Sequence, residues 1–231
     1  CASRILQPRL QRLAPDTFVE QLLSLLPLVT PIQGKCHIAI TDDALLVDAQ
    51  RHIIPILRRV QDLNLPLVFH CPNGLHARFI TAEVAEWMYA CRFQMIRLSY
   101  ESAAPDSLAQ TASDGKITDQ DFAAAVTHLK NAGYSPSQLE AYVLTGLPGQ
   151  SMRENELSVL AVHDLGVKIK LCQYSPVPGT PLFDLSCREY GVNPDEPLLH
   201  NNSILPSLDQ RVGYSGFQQF KERVQKLNQD L

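Results

Sequence analysis

Five polar clusters in this sequence each stand directly after a short, apolar, β-prone run. Asp42 and Asp43 follow residues 36–40, His70 and Asn73 follow 65–69, and Ser99 and Glu101 follow 95–98. Gly146, Gly149 and Gln150 follow 141–145, and Tyr174 with Ser175 follows 167–173. The residue types suggest what these clusters can do. A carboxylate accepts from an ammonium or moves a proton. Glycine lets a ligand come close to the main chain, and the first N–H groups of a following helix attract an acceptor or an anion. For any one cluster, solvated loop polarity is the plain alternative, and Gly146 and Gly149 alone could simply turn a tight corner. His70 and His76 offer two imidazoles, but two without further ligands is a weak metal signal, and a hydrogen-bonded structural histidine is the simpler reading.

Residues 139–154, Leu-Glu-Ala-Tyr-Val-Leu-Thr-Gly-Leu-Pro-Gly-Gln-Ser-Met-Arg-Glu, show most openly how such a cluster is positioned. A strand leads into a glycine turn, and the polar residues 150–154 then open a helix with Leu157, Leu160, Ala161 and Leu165 at helical spacing. The same alternation runs through the chain. Strands are expected near His37, Leu67, Met95, Glu140 and Val167. Helices are expected from Pro15 and Asp16, over 49–63 where Pro55 either argues against the helix or kinks it, over 81–91, and from Thr118 with Asp121 as a weak capping partner. Repeated βα units predict a parallel sheet with helices outside it and ligands at the carboxyl ends of the strands. From 184 to 207 the periodicity fades into loop, and a terminal helix is expected over 216–231, with Phe217, Phe220, Val224 and Leu227 on one face.

Size and charge set the outer bounds. The 231 residues carry a net charge of -4 with both signs intermixed, which gives no support to nucleic-acid or membrane-surface binding by bulk electrostatics. No apolar run approaches the ~18 residues of a membrane span. The opening Cys-Ala-Ser-Arg resembles neither a signal peptide nor a natural start, so the chain is expected to begin within a longer protein. Six cysteines without a close pair fit neither a disulfide framework nor a complete zinc site, and a reduced, cytoplasmic setting is the expectation.

Taken in order, these segments resemble a known family. Cys1-Ala-Ser-Arg resembles the end of the Cys-x3-Cys-x2-Cys loop of radical S-adenosylmethionine (radical SAM) enzymes. With Thr41-Asp42-Asp43, the run from His70 to Arg78, Leu98-Ser-Tyr-Glu-Ser102, Gly146-Leu-Pro-Gly-Gln150 and the run from Tyr174 to Thr180, the series is similar to the core of the cobalamin-associated branch. The resemblance implies an α/β fold, a partial (β/α) TIM-like barrel whose first strand is lacking in this chain. Its core would span 1–183, with 184–231 as a C-terminal loop and helical extension. It further implies an iron–sulfur oxidoreductase with a 4Fe-4S cluster on three cysteines and S-adenosylmethionine at the open iron. Reductive cleavage would give a 5'-deoxyadenosyl radical that attacks a small-molecule substrate, with flavodoxin or ferredoxin as reductant.

Carried over by position, Cys1 would be the third cluster ligand, and Asp42 or Asp43 would meet the methionine amino group of the cofactor. Asn73 joins the cofactor-binding set. Glu101, assisted by Ser99, would reach the ribose, and Lys116, or in second place Arg78, would pair with the carboxylate. Gly146 and Gly149 would lie near the adenine, with main-chain contacts from Tyr174. The two earlier cluster cysteines do not occur before Cys1, so the 231 residues alone are expected not to hold a stable cluster, whereas the parent protein would; any cobalamin domain would lie upstream. Two other readings stay open. One is a cluster-independent barrel lyase or hydrolase using Asp42, Asp43 and Glu101 as acid–base groups. The other is a non-catalytic nucleoside-binding module.

Overall fold

The computed structural model describes residues 9–100, 117–201 and 212–231. Two compact units divide the chain: one is formed by Leu10–Ser99 with Asp119–Ala141, and the other mainly by Tyr142–Leu231.

In the first unit the strands are β1 (Cys36–Ala39), β2 (Leu67–His70), β3 (Leu75–His76) and β4 (Ile96–Tyr100, up to Ser99). Its helices are α1 (Pro15–Leu25), α2 (Ile53–Asp62), α3 (Ala82–Ala90) and α4 (Asp119–Ala132). β1 and β2 run parallel, pairing His37 with Val68 and Ala39 with His70. β3 and β4 are also parallel, pairing His76 with Ser99. A parallel bridge between Phe69 and Phe93, closed by Phe69 N–H to Arg92 O and Gln94 N–H to Phe69 O, ties β2 to the run that leads into β4. The expected parallel α/β pattern is therefore present.

Sequence periodicity explains the packing. α2 buries Ile53, Ile54, Ile56, Leu57 and Val60 while Arg58 and Arg59 point outward. Each such side chain is worth roughly 1.5–3 kcal/mol of burial. Ile96, Leu98, Met88 and Leu129 are fully enclosed in the same core. Thr81 caps α3 by accepting from Val84 N–H. α1 starts with Pro15 and carries Asp16 in its first turn, as the sequence suggested.

The second unit takes up the rest of β5 (Leu139–Thr145), followed by α5 (Met152–His163), β6 (Lys168–Gln173), α6 (Pro181–Tyr190) and α7 (Gly213–Leu227). Ser151 and Glu154 form a reciprocal capping box at the start of α5. Asn228, just beyond α7, gives its side-chain amide to both main-chain groups of Ile169 at 2.8 Å, so the terminal helix is fastened to β6.

Three local expectations change. The helix foreseen over 49–63 is a 3-10 turn, Ala49–Arg51, followed by α2. Pro55 thus falls in the first helical turn, where its missing N–H removes no bond and no kink is required. β3, two residues long, was not foreseen. α6 occupies the start of the stretch read as loop: Thr180 caps it through Phe183 N–H, Pro181 opens it, and Gly191 ends it in the left-handed region at φ 68°.

Candidate functional site

The end of β1 and the turn after β2 bring three sequence-selected residues of the first unit together. Asn73 Nδ2 donates to Asp43 Oδ1 at 2.6 Å. Next to it, Asp42 Oδ1 accepts from Ala44 N–H at 2.7 Å, a local turn that fixes the direction of the acidic pair. Asp43 keeps Oδ2 as an acceptor for an ammonium or hydroxyl. Ser99 lies on β4 in register with His76. Arg78, the second choice for a carboxylate partner, has Nε 3.8 Å from Asp121. Cys1, Glu101 and Lys116 lie outside the described residues.

In the second unit, Gly146, Gly149 and Tyr174 surround one turn. Gly146 and Gly149 have φ of 75° and 79°, the left-handed geometry that glycine adopts without a Cβ penalty. A Cβ on Gly149 would meet nothing within 4 Å, so this side of the turn is open to a close approach. Most of the turn's polar groups are already used. Leu147 N–H donates to Gln150 Oε1, Gln150 Nε2 donates to Leu144 O, and Gly149 N–H donates to Tyr190 Oη at 2.6 Å. Gln150 is therefore the buried clamp of the turn. Tyr174 N–H donates to Thr145 O, and its ring packs with Leu147, Leu144 and Leu182. Burial raises the Tyr174 phenol, against the lowering effect of the Ser186 hydroxyl.

A second set of groups lies on the strands themselves, and of these the reading of strand ends had singled out His70 but not His37, Arg97 or Glu140. His37 Nδ1 and His70 Nε2 are 2.9 Å apart with near-parallel rings. Arg97 Nε donates to Glu140 Oε2 at 2.8 Å, both side chains about one-fifth exposed. Period two was the available signal: Arg97 and Ser99 alternate with buried Ile96 and Leu98, and Glu140 alternates with buried Leu139 and Ala141. Burial lowers His70, assisted by the neighbouring His37 and Arg97.

A cavity of about 350 Å³ opens beside β1, bounded by Phe18, Leu22 and Leu45 with Arg12, Asp42 and His52 as polar groups. An apolar cleft with a few convergent polar groups is the usual form of a small-molecule site. His52 is buried and was also missed in the sequence; burial lowers it, Asp42 and Asp48 oppose that shift, and Arg12 adds to it.

Among the described residues no group of three or more His, Cys, Asp or Glu could hold a metal ion. The buried thiols do not suit a cluster, which binds thiolates: burial pushes Cys71 up to about 12 and Cys91 to about 11. Asp43, with Asn73 orienting it and one oxygen left to accept, does suit the amino group of a nucleoside-linked amino acid.

Parallel βα units with polar groups at the strand ends define an α/β fold, and solved structures of radical SAM enzymes carry a similar one. Coproporphyrinogen III oxidase (HemN) from Escherichia coli, a radical SAM enzyme, matches with a TM-score of 0.52 and 12% identity over 75% of this chain and 37% of its own. The radical S-adenosylmethionine methyltransferase TsrM from Kitasatospora setae, solved with cobalamin and a [4Fe-4S] cluster bound, matches with a TM-score of 0.59 and 17% identity over 78% of this chain and 35% of its own. At these identities the likeness establishes the fold, and the chain spans little more than a third of either enzyme. No family model matches the sequence, and no curated protein does.

Proposed function

We propose that this chain supplies the barrel core of a radical SAM iron–sulfur oxidoreductase that binds S-adenosylmethionine and acts on a small molecule. The Asp43–Asn73 pair at the carboxyl end of the first described strand carries the reading. A carboxylate held in one orientation is the natural acceptor for an ammonium, and Asn73 holds the exposed Asp43 in place while leaving an oxygen to accept. Within the second unit the turn at Gly149 leaves its main chain open to a close approach, and Gln150 keeps that turn rigid. In this reading residues 1–183 are the core and 184–231 the extension. Cys1 is a cluster ligand, and Ser99, Glu101 and Lys116 complete the cofactor contacts. Bound to the protein, a 4Fe-4S cluster would supply the electron that cleaves the cofactor to methionine and a 5'-deoxyadenosyl radical, with flavodoxin or ferredoxin as donor. Cobalamin, where used, would belong to a separate domain, and a cytoplasmic setting goes with such a reductant and cluster.

Calorimetry with S-adenosylmethionine tests the assignment of Asp43. Asp43→Ala is expected to weaken binding about tenfold or more, the loss of one charge-assisted hydrogen bond, and Asn73→Ala by less. Equal affinity in the parent and both variants, with circular dichroism unchanged, would remove Asp43 from the cofactor site.

A further inference from the structure

We propose that Tyr190 is a positioning residue: by holding the Gly149 N–H it aims the Pro148 carbonyl at the amino group of a bound nucleoside base. That the ligand is a nucleoside rests on the function proposed above; the geometry of the turn does not. Residues 147–150 form a β-turn closed by Gln150 N–H to Leu147 O at 3.0 Å. Pro148 in its second place and Gly149 in its third, at φ 79°, make it type II. The donors of the turn are already used. Leu147 N–H goes to Gln150 Oε1 and Gly149 N–H to Tyr190 Oη, and Pro148 has none. This glycine corner therefore offers a ligand acceptors rather than donors.

The Pro148 carbonyl is such an acceptor. Pro148 is a buried residue, and its oxygen accepts from no described residue, whereas buried main-chain groups are ordinarily paired. In a planar trans peptide the C=O and N–H point opposite ways, so the phenol oxygen 2.6 Å from Gly149 N sends the Pro148 oxygen to the other side of the turn. The same peptide is the one that turns over between type II and type I, and glycine can follow it into either form. Tyr190 holds it in one. The helix that carries Tyr190 faces the turn along one stripe, since Leu182, Ser186 and Tyr190 follow each other at i+4 on α6. Leu182 packs against the cluster of Leu147 and Tyr174, Ser186 Oγ lies 3.5 Å from Tyr174 Oη, and Tyr190 reaches Gly149. At Gly149 even an added Cβ would meet nothing within 4 Å, which leaves room for a flat ring beside the turn. A ring amino group is a donor that a fixed carbonyl oxygen accepts.

The test uses the protein carrying this chain, labelled with ¹⁵N-glycine, the Gly149 signal being assigned by its loss in Gly149→Ala. The probes are adenosine and purine riboside, which lacks the amino group of the base. The parent should bind adenosine about fivefold more tightly than purine riboside, the worth of one neutral hydrogen bond. Tyr190→Phe keeps the ring and removes the acceptor. With circular dichroism unchanged, its Gly149 amide should exchange with solvent at least about fivefold faster, and its preference for adenosine should fall towards none. An amide as protected in folded Tyr190→Phe as in the parent, or an undiminished preference, would overturn the positioning role. Equal binding of the two nucleosides by the parent would overturn the amino-group assignment. Neither probe carries an amino acid, so failure here leaves the Asp43 test untouched, and failure there leaves the amide-exchange measurement standing.

Discussion

Cys71 and Cys91 are held as thiols by the core. Burial is the main cause in both; Arg97 opposes it at Cys71 and Arg92 at Cys91. Thiolate is the reactive form, so in the native chain both should resist iodoacetamide at pH 8 while the half-exposed Cys172 and Cys187 react first. The same burial acts on stability through pH. His70 and His52 sit below their ordinary 6.5, so the unfolded chain takes up protons more readily, and stability falls as pH drops through about that value. Cys71 and Cys91 sit above their ordinary 9.0, so the unfolded chain loses protons first, and stability falls as pH rises past it. Urea midpoints should therefore be highest between these limits; a midpoint still rising at pH 5 or at pH 10 would contradict the burial argument. Asp42 and Asp43 were legible in the sequence because they end a strand run, where carboxylates in α/β folds do chemistry. His37 and Arg97 were not, since a polar residue inside a four- or five-residue strand reads as ordinary alternation until the neighbouring strand places its partner beside it.

Elements add constraints that no single residue carries. Gly133 follows α4 at φ 116°, and a Cβ there would lie 2.7 Å from Tyr89 Cζ. Gly133→Ala meets both a strained backbone and an aromatic ring, and should cost more than about 1 kcal/mol. Asn228→Ala strips a partner from both main-chain groups of Ile169 and should cost about 1–2 kcal/mol. Both should appear as a lower urea midpoint at unchanged slope; an unchanged midpoint would show that the contact is not formed in solution. The helices and longer strands were readable because burial is periodic: α2 shows its apolar face in the sequence, and β5 alternates throughout. β3 was not, because two residues establish no period. α6 was missed because its polar positions dilute the apolar face, although Thr180, Pro181 and Gly191 mark both ends.

At the scale of the whole molecule, the parallel βα series and its likeness to radical SAM enzymes were expected from the ordered motifs, and the fold agrees. How the strand-end residues pair with one another depends on side-chain partners that no spacing encodes, Asn73 on Asp43 being the clearest. The central claim, reductive cleavage of S-adenosylmethionine, can be measured directly. The protein carrying this chain is reconstituted anaerobically with iron and sulfide, its cluster content verified, and then reduced with dithionite in the presence of S-adenosylmethionine. Chromatography with mass detection should find 5'-deoxyadenosine and methionine forming together, and neither in a Cys1→Ala variant. A fully loaded, reduced protein that binds the cofactor and releases no 5'-deoxyadenosine would contradict the account.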